Sequence, residues 1–290
     1  MDRPNERQRT PRNIRVKLST EKYILTKISH KNQLTMANLN YKEFGSGEPV
    51  IILHGLLGML DNWKTFARKL AEDYWVIIVD QRNHGKSFHS EDFDYGLLAE
   101  DLKVFMEELH LPKAHLIGHS MGGKTVMQFT QQYTEMVDKA IVVDISPSGS
   151  IGSHSMIFES LLGIDIEKVS SRKEVEEELV GKGIELGVAY FLMKNLRRDV
   201  ESGGYAWKAN ISVLWDNYAN ILAGTDAVSD IDLPILFVGG SRSKYIKEED
   251  MGQISQLFPS YKYSVIEDAG HWVHADQPER LLEVVSGFLD

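Results

Sequence analysis

A serine flanked by glycines is the first feature of this sequence that could carry out chemistry. Residues 118–122 read GHSMG and match the pattern G-x-S-x-G. They follow an apolar run at 114–117 and precede a stretch with helical spacing. A sharp turn between a strand and a helix needs neighbours without a Cβ, and it would expose the Ser120 hydroxyl at a sheet edge. Ser120 is therefore the candidate nucleophile, and an incidental serine in a tight turn is the alternative.

A nucleophilic serine needs a base, and a histidine near the end of the chain is placed to serve. The base must remove the hydroxyl proton, and the pKa of histidine lies near neutrality. His271 lies in a predicted loop, GHW, between the last apolar run and a helix predicted to begin at Pro278. His271 is the candidate base, and His274 is the alternative.

The acid that should orient the imidazole is assigned by its place along the predicted sheet. Asp144 directly follows the apolar run AIVV and lies at the same predicted edge as Ser120. The more usual place is the loop after the next strand, but Ser241–Lys244 contains no acid. The acids at 248–250 are typical of the first turn of a helix. Asp144 is therefore the candidate acid, and a loop cap is its alternative role.

Two backbone amides are candidates for stabilising an oxyanion. Residues 54–58 read HGLLG after the first apolar run, and such a loop can aim an N–H at a developing negative charge. We assign the two donors to Leu56 and Met121, with a glycine-rich connecting turn as the alternative for the loop. Trp207 and Trp215 would belong to the core of their own segment if they do not face substrate. The residues expected to contact substrate are Leu57, His119, Trp207, Trp215 and Trp272.

Short apolar runs alternate with stretches of helical spacing from Tyr41 onward. Runs that are apolar at nearly every position are typical of strands covered on both faces. Their alternation with helices predicts right-handed crossovers and a mostly parallel, doubly wound α/β sheet, with catalytic residues at the carboxyl ends of strands. The predicted strands are Val50–Leu53, Trp75–Val79, Ala114–Ile117, Ala140–Val143, Pro234–Val238 and Tyr261–Ile266.

Three kinds of segment follow from this pattern. Residues 36–147 and 231–290 carry the alternation and are predicted to form the catalytic core. Residues 148–230 are charge-rich and helical in pattern, with no predicted strand, which indicates a helical lid inserted into the core. Residues 1–35 are basic and poor in apolar pattern, and we expect a flexible arm that activity does not need. A targeting peptide, or a start placed too early, is the alternative for the arm.

Composition excludes several classes of partner and site. The net charge of −10 counts against nucleic acid as the main partner. No apolar run approaches the ~20 residues of a membrane span, and no signal peptide is predicted at the start. The absence of cysteine excludes disulfides and a thiolate nucleophile, and it fits a reducing compartment, so we expect a cytoplasmic protein. No cofactor or metal is predicted, and the sequence favours no particular oligomeric state.

Four stretches resemble the YbfF-type esterases and related abhydrolase-domain proteins over roughly residues 40–290. They are HGLLG at 54–58, DQRNHGKS at 80–87, GHSMGGK at 118–124 and GHWVHADQP at 270–278. The resemblance implies an α/β-hydrolase fold, an acid at the position of Asp144, and cofactor-free hydrolysis of a small carboxylic ester or acyl thioester through an acyl-enzyme. It leaves two alternatives on the same fold, a carbon–carbon bond hydrolase and a weakly catalytic ligand-binding receptor. Arg82, Asn83 and His84 are expected to hold loops near the site.

Overall fold

A seven-stranded sheet forms the centre of the protein. The computed structural model describes residues 39–150, 154–200, 203–225 and 231–290, so the predicted arm at 1–35 lies outside it. The strands, numbered along the chain, are β1 (Tyr41–Phe44), β2 (Pro49–Leu53), β3 (Trp75–Val79), β4 (Ala114–His119), β5 (Val137–Val143), β6 (Leu196–Arg198), β7 (Tyr205–Trp207), β8 (Ile235–Gly240) and β9 (Tyr261–Ile266). The order in the sheet is β1-β3-β2-β4-β5-β8-β9.

Strand direction and burial explain the apolar runs of the sequence. Among the described strands of this sheet, β1 pairs antiparallel with β3 and the other neighbours pair in parallel, which confirms the predicted mostly parallel sheet. β4 and β8 are buried at every residue, as helices on both faces require. The sequence analysis did not predict β1, because its sequence YKEF carries two charges and is mostly exposed at the sheet edge.

Helices cover both faces of the sheet. The described α-helices, numbered along the chain, are α1 (Lys64–Leu70), α2 (Tyr95–Glu108), α3 (Met121–Gln132), α4 (Ser155–Leu162), α5 (Arg172–Gly181), α6 (Leu186–Met193), α7 (Ile211–Asp216), α8 (Tyr218–Leu222), α9 (Met251–Leu257), α10 (Val273–Asp276) and α11 (Pro278–Leu289). On one face, α2 and α3 contribute Phe105 and Phe129 to a buried cluster. On the other, α1 and α11 contribute Phe66 and Leu281. Of the described helices, none is both long and apolar enough to cross a membrane.

Residues 148–230, which lie between β5 and β8 and are predicted to form a lid, are called the inserted segment. Its helices α4–α8 pack around their own buried cluster, which includes Phe158 and Leu214. The cluster continues to Leu57 and Met121, so the inserted segment lies over the carboxyl ends of the strands. The antiparallel pair β6–β7 corrects the prediction that no strand interrupts this segment. Each of these strands has three residues, which is too short for an apolar run to reveal.

Candidate active site

Ser120 occupies a strained turn between β4 and α3. Its φ of 53° lies in the left-handed region, which a residue with a Cβ rarely adopts. A Cβ at Gly118 would lie 2.2 Å from the Gly122 carbonyl oxygen, and one at Gly122 would lie 2.5 Å from the Leu53 carbonyl oxygen. Both positions therefore require glycine. The turn holds the Ser120 hydroxyl at the carboxyl edge of the sheet.

The predicted base and acid lie beside this serine. His271 Nε2 is 3.0 Å from Ser120 Oγ, and His271 Nδ1 is 2.8 Å from Asp144 Oδ2. The Asp144 side chain is fully buried, whereas that of His271 is 21% exposed. In this arrangement Nδ1–H donates to the carboxylate, which leaves Nε2 to accept the serine proton. The structure thus brings together three residues from the loops after β4, β5 and β9.

The loop after β8, which carries no acid, instead contacts the acid from the neighbouring strand. Ser243 Oγ donates to Asp144 Oδ2, and the Gly240 N–H donates to Asp144 Oδ1 over 3.1 Å. Asp144 itself has a φ of 54°, a second strained position at this edge. The two donors fix the plane of the carboxylate that faces His271. The sequence identified the loop by its lack of an acid but gave no sign of what its serine contacts.

The alternative base, His274, lies in a different environment. Its ring stacks on Trp63 with 4.4 Å between ring centroids and an angle of 17°. Burial lowers the pKa of His274 to about 3, so the ring is neutral. His119 is also buried, which holds its pKa well below the usual value, and its Nε2–H donates to the His271 carbonyl oxygen over 2.8 Å. His271 is therefore the histidine that faces Ser120, and His119 supports its backbone.

The two predicted oxyanion donors lie beside Ser120. Leu56, Ser120 and Met121 line one small cavity of about 20 Å³. Within the described residues, the Leu56 N–H has no hydrogen-bond acceptor. Met121 begins α3, where the first N–H groups have no carbonyl within the helix to bond. Both amides therefore stay the predicted donors to an oxyanion formed at Ser120.

His84 holds the HGLLG loop at residues 54–58 through a hydrogen bond to its backbone. Its Nε2 accepts a hydrogen bond from the Leu57 N–H over 3.1 Å, and its Nδ1–H donates to the Arg82 carbonyl oxygen over 2.8 Å. Burial lowers the pKa of His84 to about 3, which keeps Nε2 free of a proton and able to accept. Arg82 is in turn paired with the buried Asp101 through two short contacts. This network fixes the backbone next to the Leu56 amide.

A mostly apolar cavity of about 240 Å³ opens beside Ser120 and His271. The predicted substrate contacts Leu57, His119 and Trp272 line it, but Trp207 and Trp215 do not. Trp215 instead packs on Phe158 and Tyr218 inside the inserted segment, and Trp207 pairs with Leu196 in the β6–β7 hairpin. These two predictions are corrected, because Trp215 packs partly buried against the segment's own core and Trp207 lies in a strand at its side. Sequence reasoning missed other lining residues, namely Trp63, Ile157, Val188, Phe191, Leu192 and Tyr245.

No cluster suited to a metal ion occurs in the described ranges: their His, Asp and Glu side chains nowhere gather in a group of three that could bind one. The groups that the site does bring together are a serine hydroxyl, an imidazole and a carboxylate, with backbone amides as candidate donors. These groups together are those of acyl transfer through a serine nucleophile.

Comparison with known proteins identifies the family to which the chain belongs. The family model for the alpha/beta hydrolase fold matches residues 48–163 and 192–278. Esterase YbfF of Escherichia coli is 35% identical, over 84% of this chain and 94% of its own. The sn-1-specific diacylglycerol lipase ABHD11 of Danio rerio is 35% identical, over 87% and 82%. A solved structure titled marine microorganism esterase superposes with a TM-score of 0.85 at 39% identity, over 87% and 99%. This chain belongs to the α/β-hydrolase fold family.

Proposed function

We propose that this protein is a serine hydrolase that cleaves carboxylic esters or acyl thioesters through an acyl-enzyme. One observation carries the proposal: the hydrogen-bonded series from Ser120 Oγ to His271 to Asp144, with separations of 3.0 and 2.8 Å, at the mouth of an apolar cavity. The names of the relatives, an esterase and a diacylglycerol lipase, support an ester as the bond that is cleaved.

Acylation begins when His271 Nε2 takes the proton of Ser120 as Oγ attacks the substrate carbonyl carbon. The carbonyl oxygen becomes an anion, and the Leu56 and Met121 amides donate to it. The imidazolium, held by Asp144, then passes its proton to the leaving alcohol or thiol as the bond to the carbonyl carbon breaks. The acyl group remains on Ser120 Oγ.

Deacylation repeats these steps with water as the nucleophile. His271 Nε2 takes a proton from water, the hydroxide attacks the acyl carbon, and the same two amides hold the oxyanion. The proton then returns to Ser120 Oγ as the ester bond to the enzyme breaks, releasing the carboxylic acid. Asp144 keeps His271 in the tautomer that this cycle needs, since its carboxylate accepts a hydrogen bond from the Nδ1–H of that ring.

The cavity supports an apolar acyl or alkyl group as the bound part of the substrate. Its volume of about 240 Å³ lies just below the usual range for small-molecule pockets. Phe191 and Val188 of α6 line it together with Leu57 and Trp272. The inserted segment is accordingly proposed to act as a lid over this site. We retain the cytoplasm as the proposed location, on the absence of cysteine.

Replacement of the nucleophile tests the proposal directly. We expect Ser120→Ala to lower the hydrolysis of p-nitrophenyl butyrate by at least about 10³-fold and to abolish labelling by a fluorophosphonate, because no hydroxyl remains to attack. Ser255→Ala, which changes an exposed serine in α9, is the matched control and should keep both properties. Hydrolysis by Ser120→Ala at the wild-type rate would contradict the assignment, and labelling without ester turnover would favour a receptor.

A further inference from the structure

One face of the His271 ring is covered by the side chain of Tyr245, which has no part in the proton transfers described above. The Tyr245 ring stacks on the imidazole with 3.8 Å between ring centroids and an angle of 19°. Tyr245 is half-buried and lies in the loop between β8 and α9. It lines both the apolar cavity and the small cavity that Leu56, Ser120 and Met121 also line. The ring therefore lies beside both cavities and against the imidazole of the proposed base.

The same loop also contacts the acid, so one segment holds both partners of the imidazole–carboxylate pair. The Tyr245 N–H donates to Ser243 Oγ over 3.2 Å, and Ser243 Oγ donates to Asp144 Oδ2. The position of the Tyr245 ring is thus coupled through two hydrogen bonds to the carboxylate that orients His271. A movement of this loop would displace the ring and the carboxylate together.

The electrostatic surroundings of His271 give the stacked ring a specific effect. Asp144 places a carboxylate at Nδ1, and the other rings around His271 are neutral. Burial keeps the pKa of His119 well below its usual value and lowers those of His154 and His274 to about 4 and about 3. The face of an aromatic ring is electron-rich and attracts a cation more than a neutral ring. Tyr245 therefore favours the imidazolium that forms in each proton transfer.

We propose that Tyr245 is a positioning residue that fixes the plane of His271 and stabilises its protonated form during acyl transfer. This rests on the proposed function for the identity of the base, but the stacking and its electrostatic effect do not require turnover. Tyr245 takes no proton and touches no reacting atom in this proposal.

Titration of His271 by NMR in labelled protein tests the proposal without any substrate. The resonance of His271 is assigned by its loss in His271→Gln. In Tyr245→Leu, which removes the ring, we expect the titration midpoint of His271 to fall by about 0.5 to 1 pH unit. Tyr245→Phe keeps the ring face and is the matched control, so its midpoint should stay at the wild-type value. Tyr245→Met gives a second ring-free variant if Tyr245→Leu does not fold.

Turnover of p-nitrophenyl butyrate provides the second readout. The ring-free variants should lose about five- to tenfold in kcat, and the rising limb of their kcat/KM profile should move to lower pH, because neutral His271 persists further into acid. Tyr245→Phe should restore both. An unchanged His271 midpoint in the ring-free variants would overturn the proposal, as would a Phe variant that behaves like Leu. A failed hydrolase assignment would appear separately, as wild-type protein without turnover or labelling.

Discussion

At the scale of single residues, the histidines of this protein differ by what their ring nitrogens contact. His271 faces a hydroxyl and a carboxylate and is partly exposed. His84 is fully buried and bonds two backbone groups, the Leu57 N–H and the Arg82 carbonyl oxygen. The neutral His84 ring therefore links the backbones of two loops by hydrogen bonds. One of these loops carries the proposed oxyanion donor Leu56.

Removal of the His84 ring should cost both stability and rate. In His84→Ala the Leu57 N–H and the Arg82 carbonyl lose their partners in a buried site, so we expect the free energy of unfolding to fall by about 2–4 kcal/mol. We also expect a lower kcat, because the Leu56 amide is no longer held. Urea denaturation and ester turnover measure the two effects. His89→Ala, at an exposed nearby histidine, should change stability by no more than about 0.5 kcal/mol. Equal effects of the two variants would show that the His84 contacts contribute little.

At the scale of elements, the unusual feature is the strand that supplies the acid. Asp144 follows β5, while the loop after β8 contributes Ser243, whose hydroxyl contacts the Asp144 carboxylate. The two positions are adjacent because β5 and β8 are paired in parallel and their carboxyl ends meet at one edge. The loop after β8 is thus near enough to supply an acid to the same imidazole.

Moving the carboxylate between these two loops tests this geometry. Asp144→Asn should lower kcat by about 10³- to 10⁴-fold, because the amide no longer holds the imidazole in the required tautomer. Adding Ser243→Asp in that background should recover part of the loss, about tenfold or more, since a carboxylate returns near Nδ1. Ser243→Asp alone is the control and should lower the rate, because two carboxylates then lie in contact. A double variant no better than Asp144→Asn would place residue 243 out of reach of His271.

Local sequence pattern was enough to predict most of the strands and the turn at Ser120, but not every strand. The buried strands appear as apolar runs because helices cover both of their faces, and Gly118 and Gly122 mark the turn at Ser120 through simple sterics. The edge strand β1 and the hairpin β6–β7 carry no such signal, since they are exposed or very short. Contacts between distant loops, such as the Tyr245 ring on His271, leave no periodic trace in the sequence at all.

For the aromatic residues of the inserted segment, spacing in the sequence does not predict whether a side chain faces the cavity or the core. Trp215 and Tyr218 satisfy helical spacing whether they face a ligand or a core. The structure buries Tyr218 in the core of the segment and packs the partly buried Trp215 against it. Phe191 and Val188, which do line the cavity, lie on α6, a helix that is apolar on nearly every side. The packing of α6 against the rest of the protein determines which of its faces lines the cavity.

At the scale of the whole molecule, several buried neutral histidines tie the stability of the fold to pH. Burial holds each pKa below the ordinary value near 6.5, because a charged imidazole loses its hydration inside the protein. The unfolded chain then binds more protons than the folded one in weak acid, and this difference favours unfolding. Among the described residues, the five are His54 and the half-buried His154, whose pKa is lowered to about 4, His84 and His274, whose pKa is lowered to about 3, and His119, whose pKa is well below normal.

The free energy of unfolding should therefore be steady above about pH 6.5 and fall as the pH drops toward about 4, by up to about 1.4 kcal/mol per pH unit for each histidine. Denaturation curves at a series of pH values measure this slope.

His274→Phe keeps a ring against Trp63 but cannot take a proton, so the loss of unfolding free energy between about pH 7 and about pH 4.5 should shrink by about 2 kcal/mol. His110→Asn is the matched control, since this histidine is exposed and asparagine tolerates its φ of 55°. It should leave the slope unchanged. A slope in His274→Phe equal to that of the wild type would show that proton uptake by His274 does not contribute to the acid destabilisation.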